Sequence, residues 1–373
     1  MNEKTYFPGL NALRFFSALA VIITHIELLK HKLELPNYWH IEIIEKLGVI
    51  GVSFFFVLSG FLITYLMMEE KEKTSFFSIK KFYIRRVLRI WPLYFLILFF
   101  GFFILPKFTF LSYFSENFHF FFFENLICYL LILPNFSSSF FSTVPLIGQL
   151  WSIGIEEQFY LFWPLFFRFF KRFSFRNLLS LLGIIILIKF LALVLSDFYL
   201  LNNLKFFFSM LKFENMVIGA IGAVILKNNI YVALNLIYNP LVFFSSIIGI
   251  FLSIYVTPNY LKDGLHIFHS IFFIIIILNF SANKKYFSIF ETKFLNLLGT
   301  ISYGIYMYHM IVIYFAIKFI THYDFFDINS FYGFLILYGS TILITVLISY
   351  FSYYYFEIKF LNLKSSLINL FKF

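Results

Sequence analysis

The sequence predicts an all-α, polytopic membrane protein with about ten transmembrane helices, and three observations carry that expectation. First, 61% of its 373 residues are hydrophobic and only 13% are charged, against about 25% charged in soluble domains. Second, apolar runs close to the ~20 residues that cross a bilayer recur from one end to the other. Third, the basic residues gather in alternate loops. Such a composition excludes an ordinary globular domain. The length leaves no room for a sizeable soluble domain, so residues 1–373 read as one membrane domain with nothing appended.

Taken in order, the spans fall at 10–29, 47–68, 87–105, 150–170, 178–196, 204–226, 240–256, 265–281, 297–320 and 331–356. The first lacks a small-residue cleavage site behind it and is expected to remain as a span. The run 119–133 is short and ends at Leu133-Pro134, which suits an interfacial or re-entrant segment. With the N-terminus inside, the inner segments hold Lys4, the Lys71–Arg89 group, Arg168 to Arg176, Lys227, Lys284, Lys285, Lys293, Lys359, Lys364 and Lys372. The outer ones hold only Lys30, Lys32, Lys46, Lys107 and Lys262. That bias places both termini in the cytoplasm. It also accounts for the net charge of +10 without any nucleic acid. Cys128 is the single cysteine, so neither an intrachain disulfide nor a cysteine metal cluster is available. The 61 phenylalanines and 25 tyrosines read as lipid-facing and interfacial filler.

Ionisable groups inside spans are costly and are therefore functional candidates. Arg14 and His25 are eleven residues apart on the first span. A helix places them on nearly one face, about 16 Å apart. The plain alternative is a snorkelling arginine with a helix-capping histidine. Glu156 and Glu157 open the 150–170 span in Trp151-Ser152-Ile153-Gly154-Ile155-Glu156-Glu157. They are expected toward the outer face, level with His25, where a carboxylate could orient the imidazole. They could equally be a solvated helix N-terminus. Arg85, Arg86 and Arg89 precede Trp91-Pro92, and arginine's fork suits phosphate, although a basic cluster also anchors topology. Small residues from Gly51 to Gly60, with Ser59, allow close approach of a helix or a slender ligand. His309 falls near mid-membrane, lining a pore or bonded within the bundle. His266 and His269 have the spacing of a metal pair but no third ligand. His31, His40, His119 and His322 fall in loops. Ser53 is not in a nucleophile elbow, and there is no P-loop or dinucleotide fingerprint.

Together these residues resemble the acyltransferase type-three family of integral membrane proteins, which includes O-antigen and peptidoglycan O-acetylases. The resemblance rests on Arg14 with His25, the Gly51–Gly60 stretch, Arg86 and Arg89 before Trp91-Pro92, the Trp151–Tyr160 block and the Ser302–His309 block. It implies a cytoplasmic acyl-CoA donor, acetyl-CoA by default, and acylation of a hydroxyl on an extracytoplasmic glycan or glycolipid. On that basis His25 is the catalytic histidine, with Arg14 beside it and Glu156 or Glu157 orienting it. Arg85, Arg86, Arg89, Ser59 and Gly60 are expected to hold the donor. Trp151, Tyr306 and His309 are expected to face the acceptor. Asn11-Ala12 stands where many relatives have Asp-Gly, which weakens any role for an acid there. The rival from another class is a transporter or flippase for a lipid-linked sugar or small solute. A sensor or scaffold is the third reading.

Overall fold

The computed structural model describes residues 6–7, 9–108, 121–169, 173–256, 264–283, 285–286, 290–323 and 330–370. The expectations placed on Lys4, His119, Lys171, Arg172, Lys262, Lys284 and Lys372 fall outside the described residues. Among those described, every regular element is helical and none is a strand. The helices are α1 (Leu10–Lys32), α2 (Glu42–Thr74), α3 (Ile79–Phe99), α4 (Phe122–Leu130), α5 (Pro134–Phe140), α6 (Leu150–Phe169), α7 (Phe175–Phe198) and α8 (Asn202–Met210). They continue with α9 (Phe213–Lys227), α10 (Tyr231–Ile237), α11 (Pro240–Val256), α12 (Leu265–Ala282), α13 (Lys293–Thr300), α14 (Ser302–Tyr323), α15 (Phe331–Ser352) and α16 (Ile358–Leu370).

Eight helical stretches among the described residues are long and apolar enough to cross a membrane. The bent pair α10–α11, with an angle of 62°, makes a ninth. The expected tenth span, 150–170, is present as helix α6. Glu156, Glu157 and Gln158 make it too polar to count as a span by composition. The short run before Pro134 is the nine-residue α4, and Pro134 opens α5. His31 and His322 occupy the last turns of α1 and α14 rather than loops.

The chain divides into two compact units. Unit 1 is Met1–Phe77, Arg168–Leu191 and Lys212–Ser302; unit 2 is Ser78–Phe167, Ala192–Leu211 and Tyr303–Phe373. In lipid, tails are as apolar as leucine, so helices associate through close packing at small residues. Unit 1 follows this rule. Helices α2 and α9 cross where Gly60 meets the Met216 backbone and Gly219 meets the Val57 carbonyl. Helix α1 lies on α2 through Gly51 at the Ser17 carbonyl and Gly48 at Thr24. Gly299 of α13 abuts the Asn11 carbonyl of α1. The side of Gly60 where a Cβ would stand is filled by the Met216 backbone, so the close approach expected from the Gly51–Gly60 stretch is made there by helices.

In unit 2, α3 starts under a cap in which Ser78 Oγ accepts the Lys81 amide, and it runs on through a π-helical turn at Phe100–Ile104. Helix α16 packs on α3, α4 on α5, and α5 on α8. Gly154 of α6 lies against the Pro134 ring. A second π turn, Tyr353–Glu357, joins α15 to α16. Such turns inside helices are frequent at functional sites.

Candidate active site

In unit 1, α1 is unbroken from Leu10 to Lys32, so Arg14 and His25 keep the shared face expected of them. Arg14 Nη1 donates to Asn11 Oδ1 at 3.3 Å, and Asn11 Nδ2 donates to Asn296 Oδ1 at 3.4 Å. The amide that stands in place of the usual acid therefore still positions the arginine. His25 is half-buried. Next to it, Thr24 Oγ1 donates to the Ile44 carbonyl at 2.8 Å, which fixes α1 against the start of α2. Two residues on, Glu27 and Lys30 form a buried pair at 2.9 Å, and Glu27 also accepts the Tyr38 amide. Glu27 was legible as an acid inside a predicted span, yet its partners pin a loop.

Unit 2 contributes a denser polar cluster. Arg86 lies over two rings, 5.5 Å from the Phe82 centroid and 5.1 Å from that of Tyr160. Its Nε is buried with no hydrogen-bond partner among the described residues. Glu156 is hydrogen-bonded by Tyr160 on its own helix. Glu157 points across to α3, where Trp91 Nε1 donates to its Oε2 at 2.8 Å. The other oxygen, Oε1, is buried with no partner among the described residues. Glu157 thus lies level with Trp91 of α3.

Around this core, Tyr303 Oη donates to the Ile90 carbonyl at 2.9 Å. Tyr306 Oη is 2.6 Å from Ser152 Oγ and donates to the Gln149 carbonyl at 3.1 Å. Gln149 Nε2 in turn donates to the Met307 carbonyl at 3.0 Å. His309 is fully buried, with Nδ1 2.6 Å from the Tyr306 carbonyl, so Nδ1 carries the proton. Tyr308 Oη donates to Ser352 Oγ at 2.9 Å, and that hydroxyl reaches Glu357 Oε1 at 3.4 Å. Glu357 is buried within the field of Arg89. Sequence reasoning missed Glu357 because the predicted span stopped at 356, one residue short. Trp151, Ser59, Arg85 and Arg89 are half-buried on their helices.

The His266–His269 pair resolves without a metal. His266 Nε2 donates to Glu214 Oε1 at 2.5 Å, and Lys189 Nζ meets the same oxygen at 2.6 Å. Lys212 Nζ lies 3.3 Å from His266 Nδ1. His269 Nε2 is 2.8 Å from Ser253 Oγ. Among the described residues no group of three His, Cys, Asp or Glu side chains could hold a metal ion.

Residues 7–350 match the family described as an acyltransferase domain. The chain belongs to the acyltransferase type-three family. It is similar to the peptidoglycan O-acetyltransferase OatA of Listeria monocytogenes, 28% identical over 337 residues, covering 83% of this chain and 50% of that protein. It is likewise similar to the O-acetyltransferase OatA of Staphylococcus aureus, 26% identical over 335 residues, covering 85% of this chain and 52% of the relative. The chain thus spans about half the length of these curated relatives. No solved structure matches it.

Proposed function

We propose that the protein moves an acyl group, acetyl by default, from acyl-CoA to a hydroxyl of an extracytoplasmic glycan, with peptidoglycan the first acceptor to test. The single observation that carries the donor half is Arg86. Its guanidinium lies near the Phe82 and Tyr160 rings with Nε unsatisfied among the described residues, an arrangement suited to a phosphate oxygen. Arg89 and Arg85 add charge on the same helix. Similarity to two O-acetyltransferases supports the acceptor half. Both termini and the arginine cluster face the cytoplasm in this reading, in a bacterial inner membrane.

In the reaction, His25 accepts the proton of the acceptor hydroxyl, a contribution of about 10²–10⁴-fold. The oxygen forms a bond to the thioester carbonyl carbon, the carbon–sulfur bond breaks, and the thiolate takes up the proton. Arg14, set by Asn11, is the positioning residue on the helix of His25. Glu157, tethered by Trp91, and Glu156, tethered by Tyr160, hold the surroundings of Arg86. Tyr306 and His309, with Trp151, face the acceptor side.

Equilibrium binding of acyl-CoA to the full chain in nanodiscs tests this. A charge-assisted hydrogen bond is worth about 1.5–3 kcal/mol, so Arg86→Ala should weaken binding by about ten- to a hundredfold. A protein that ignores CoA while moving a lipid-linked sugar across the bilayer would overturn the reading in favour of a transporter.

A further inference from the structure

Helices α14 and α15 of unit 2 are pinned together at one end and splayed at the other. At the closed end, a Cβ added to Gly304 would stand 3.1 Å from the Ser349 Cβ, and Tyr308 bonds Ser352 at 2.9 Å. Beyond that point the two helices line a cleft of about 1020 Å³, at the top of the ~300–1,000 Å³ range of small-molecule sites. Helix α15 presents two neighbouring rows at i, i+4 spacing. Gly333, Leu337, Thr341, Thr345 and Ser349 are buried. Ile336, Ser340, Ile344 and Ile348 line the cleft, facing Ile311, Phe315 and Phe319 of α14.

The wall is mostly apolar. Lys318, Thr321, His322 and Tyr323 bring polar groups to the last turns of α14, and Ser340 adds a hydroxyl from α15. Lys318 and His322 are four residues apart and so share a helix face. Lys318 Nζ lies 5.8 Å from the Tyr314 ring centroid, which keeps its ammonium beside the cleft. The cleft is apolar and open to its surroundings, so within a bilayer it takes up hydrocarbon. The lysine selects among lipids. Lys318 is the one lysine or arginine of the lining, and a single such charge matches one anionic phosphate headgroup. A pyrophosphate would call for more than one.

We propose that this cleft binds one anionic glycerophospholipid, its acyl chains along the isoleucine row and its phosphate at Lys318. The inference does not rest on the transferase reading.

Native mass spectrometry of the full chain, titrated with phosphatidylglycerol or phosphatidylcholine in mild detergent, tests it. The wild type should retain one phosphatidylglycerol with at least a tenfold preference. Lys318→Gln should abolish the preference and still accept either lipid. Ile344→Trp, which fills the cleft, should lose both lipids while keeping the helical circular dichroism of the wild type. Lys359→Gln, an exposed lysine outside the cleft, should behave as wild type. Preference surviving in Lys318→Gln, lipid surviving in Ile344→Trp, or a co-purified lipid-linked glycan in place of phospholipid would each overturn the proposal.

Discussion

The guanidinium of Arg86 is held by ring faces rather than by a carboxylate. Desolvated cation–π contacts reach about 2 kcal/mol, and Nε of the fork keeps no hydrogen-bond partner among the described residues. Arg86→Lys keeps the charge and loses both the fork and the stacking. It should weaken acyl-CoA binding by about tenfold, read by the same nanodisc titration. Lys189, by contrast, is consumed. It and His266 share one oxygen of Glu214, and the second oxygen of that acid is buried with no hydrogen-bond partner among the described residues. Breaking a buried pair from one side costs about 3–5 kcal/mol, whereas apolar replacement of both partners is often neutral. Lys189→Met should therefore lower the melting temperature in detergent sharply, and Lys189→Met with Glu214→Leu should recover much of it. An equal or larger loss in the double variant would show that the pair is not the origin of the effect. The same comparison explains what the sequence hid. Arg14 stood out because a second polar residue shared its face. Lys189 and Lys212 also fall inside predicted spans, but their partners, Glu214 and His266, are more than twenty residues away, so spacing gave no signal.

At the scale of elements, the crossing of α2 and α9 depends on two glycines that meet backbone. Gly219→Val would drive a side chain into the Val57 carbonyl. Overpacking of this kind costs about 1–3 kcal/mol or more, and thermal unfolding should show it while Gly183→Ala, with open space around it, stays close to wild type. The N-terminal entry to α1 is tied by a clasp of a different kind. Glu291 accepts the Tyr6 hydroxyl, the Asn296 amide at 2.7 Å and the Gly9 amide at 2.9 Å. Burial pushes the Glu291 carboxyl up, but these hydrogen bonds outweigh it and hold the group below its usual range. Burial, and then donation to Glu291, push the Tyr6 phenol up to about 12. A depressed carboxylate stabilises the fold above its unfolded pKa and loses that contribution as pH falls through the folded value. The clasp is thus complete at neutral pH. It weakens as acid titrates Glu291, and again as base passes the unfolded tyrosine value near ~10 toward 12. Protection of the Gly9 amide in hydrogen exchange should fall on both sides, and Glu291→Gln should remove the acid limb. These long-range ties, 282 and 285 residues apart, left no local mark in the sequence.

For the whole molecule, hydropathy and charge carried the all-helical, multi-span reading, because a bilayer admits little else for so apolar a chain. Hydropathy does not mark α6 as clearly as the other spans, because Glu156, Glu157 and Gln158 lower it. Of these, Glu157 bonds Trp91 of α3. The division into two units was not legible either, because each is assembled from three separated stretches with no change in composition between them. The central claim is acyl transfer to a glycan through His25. Mass spectrometry of envelope glycans, peptidoglycan first, from cells carrying wild type, His25→Ala or a deletion tests it most directly. The account predicts an acyl mass increment in the wild type that is lost in both others. An increment that persists in His25→Ala, or glycans unchanged in acylation but altered in amount, would contradict it.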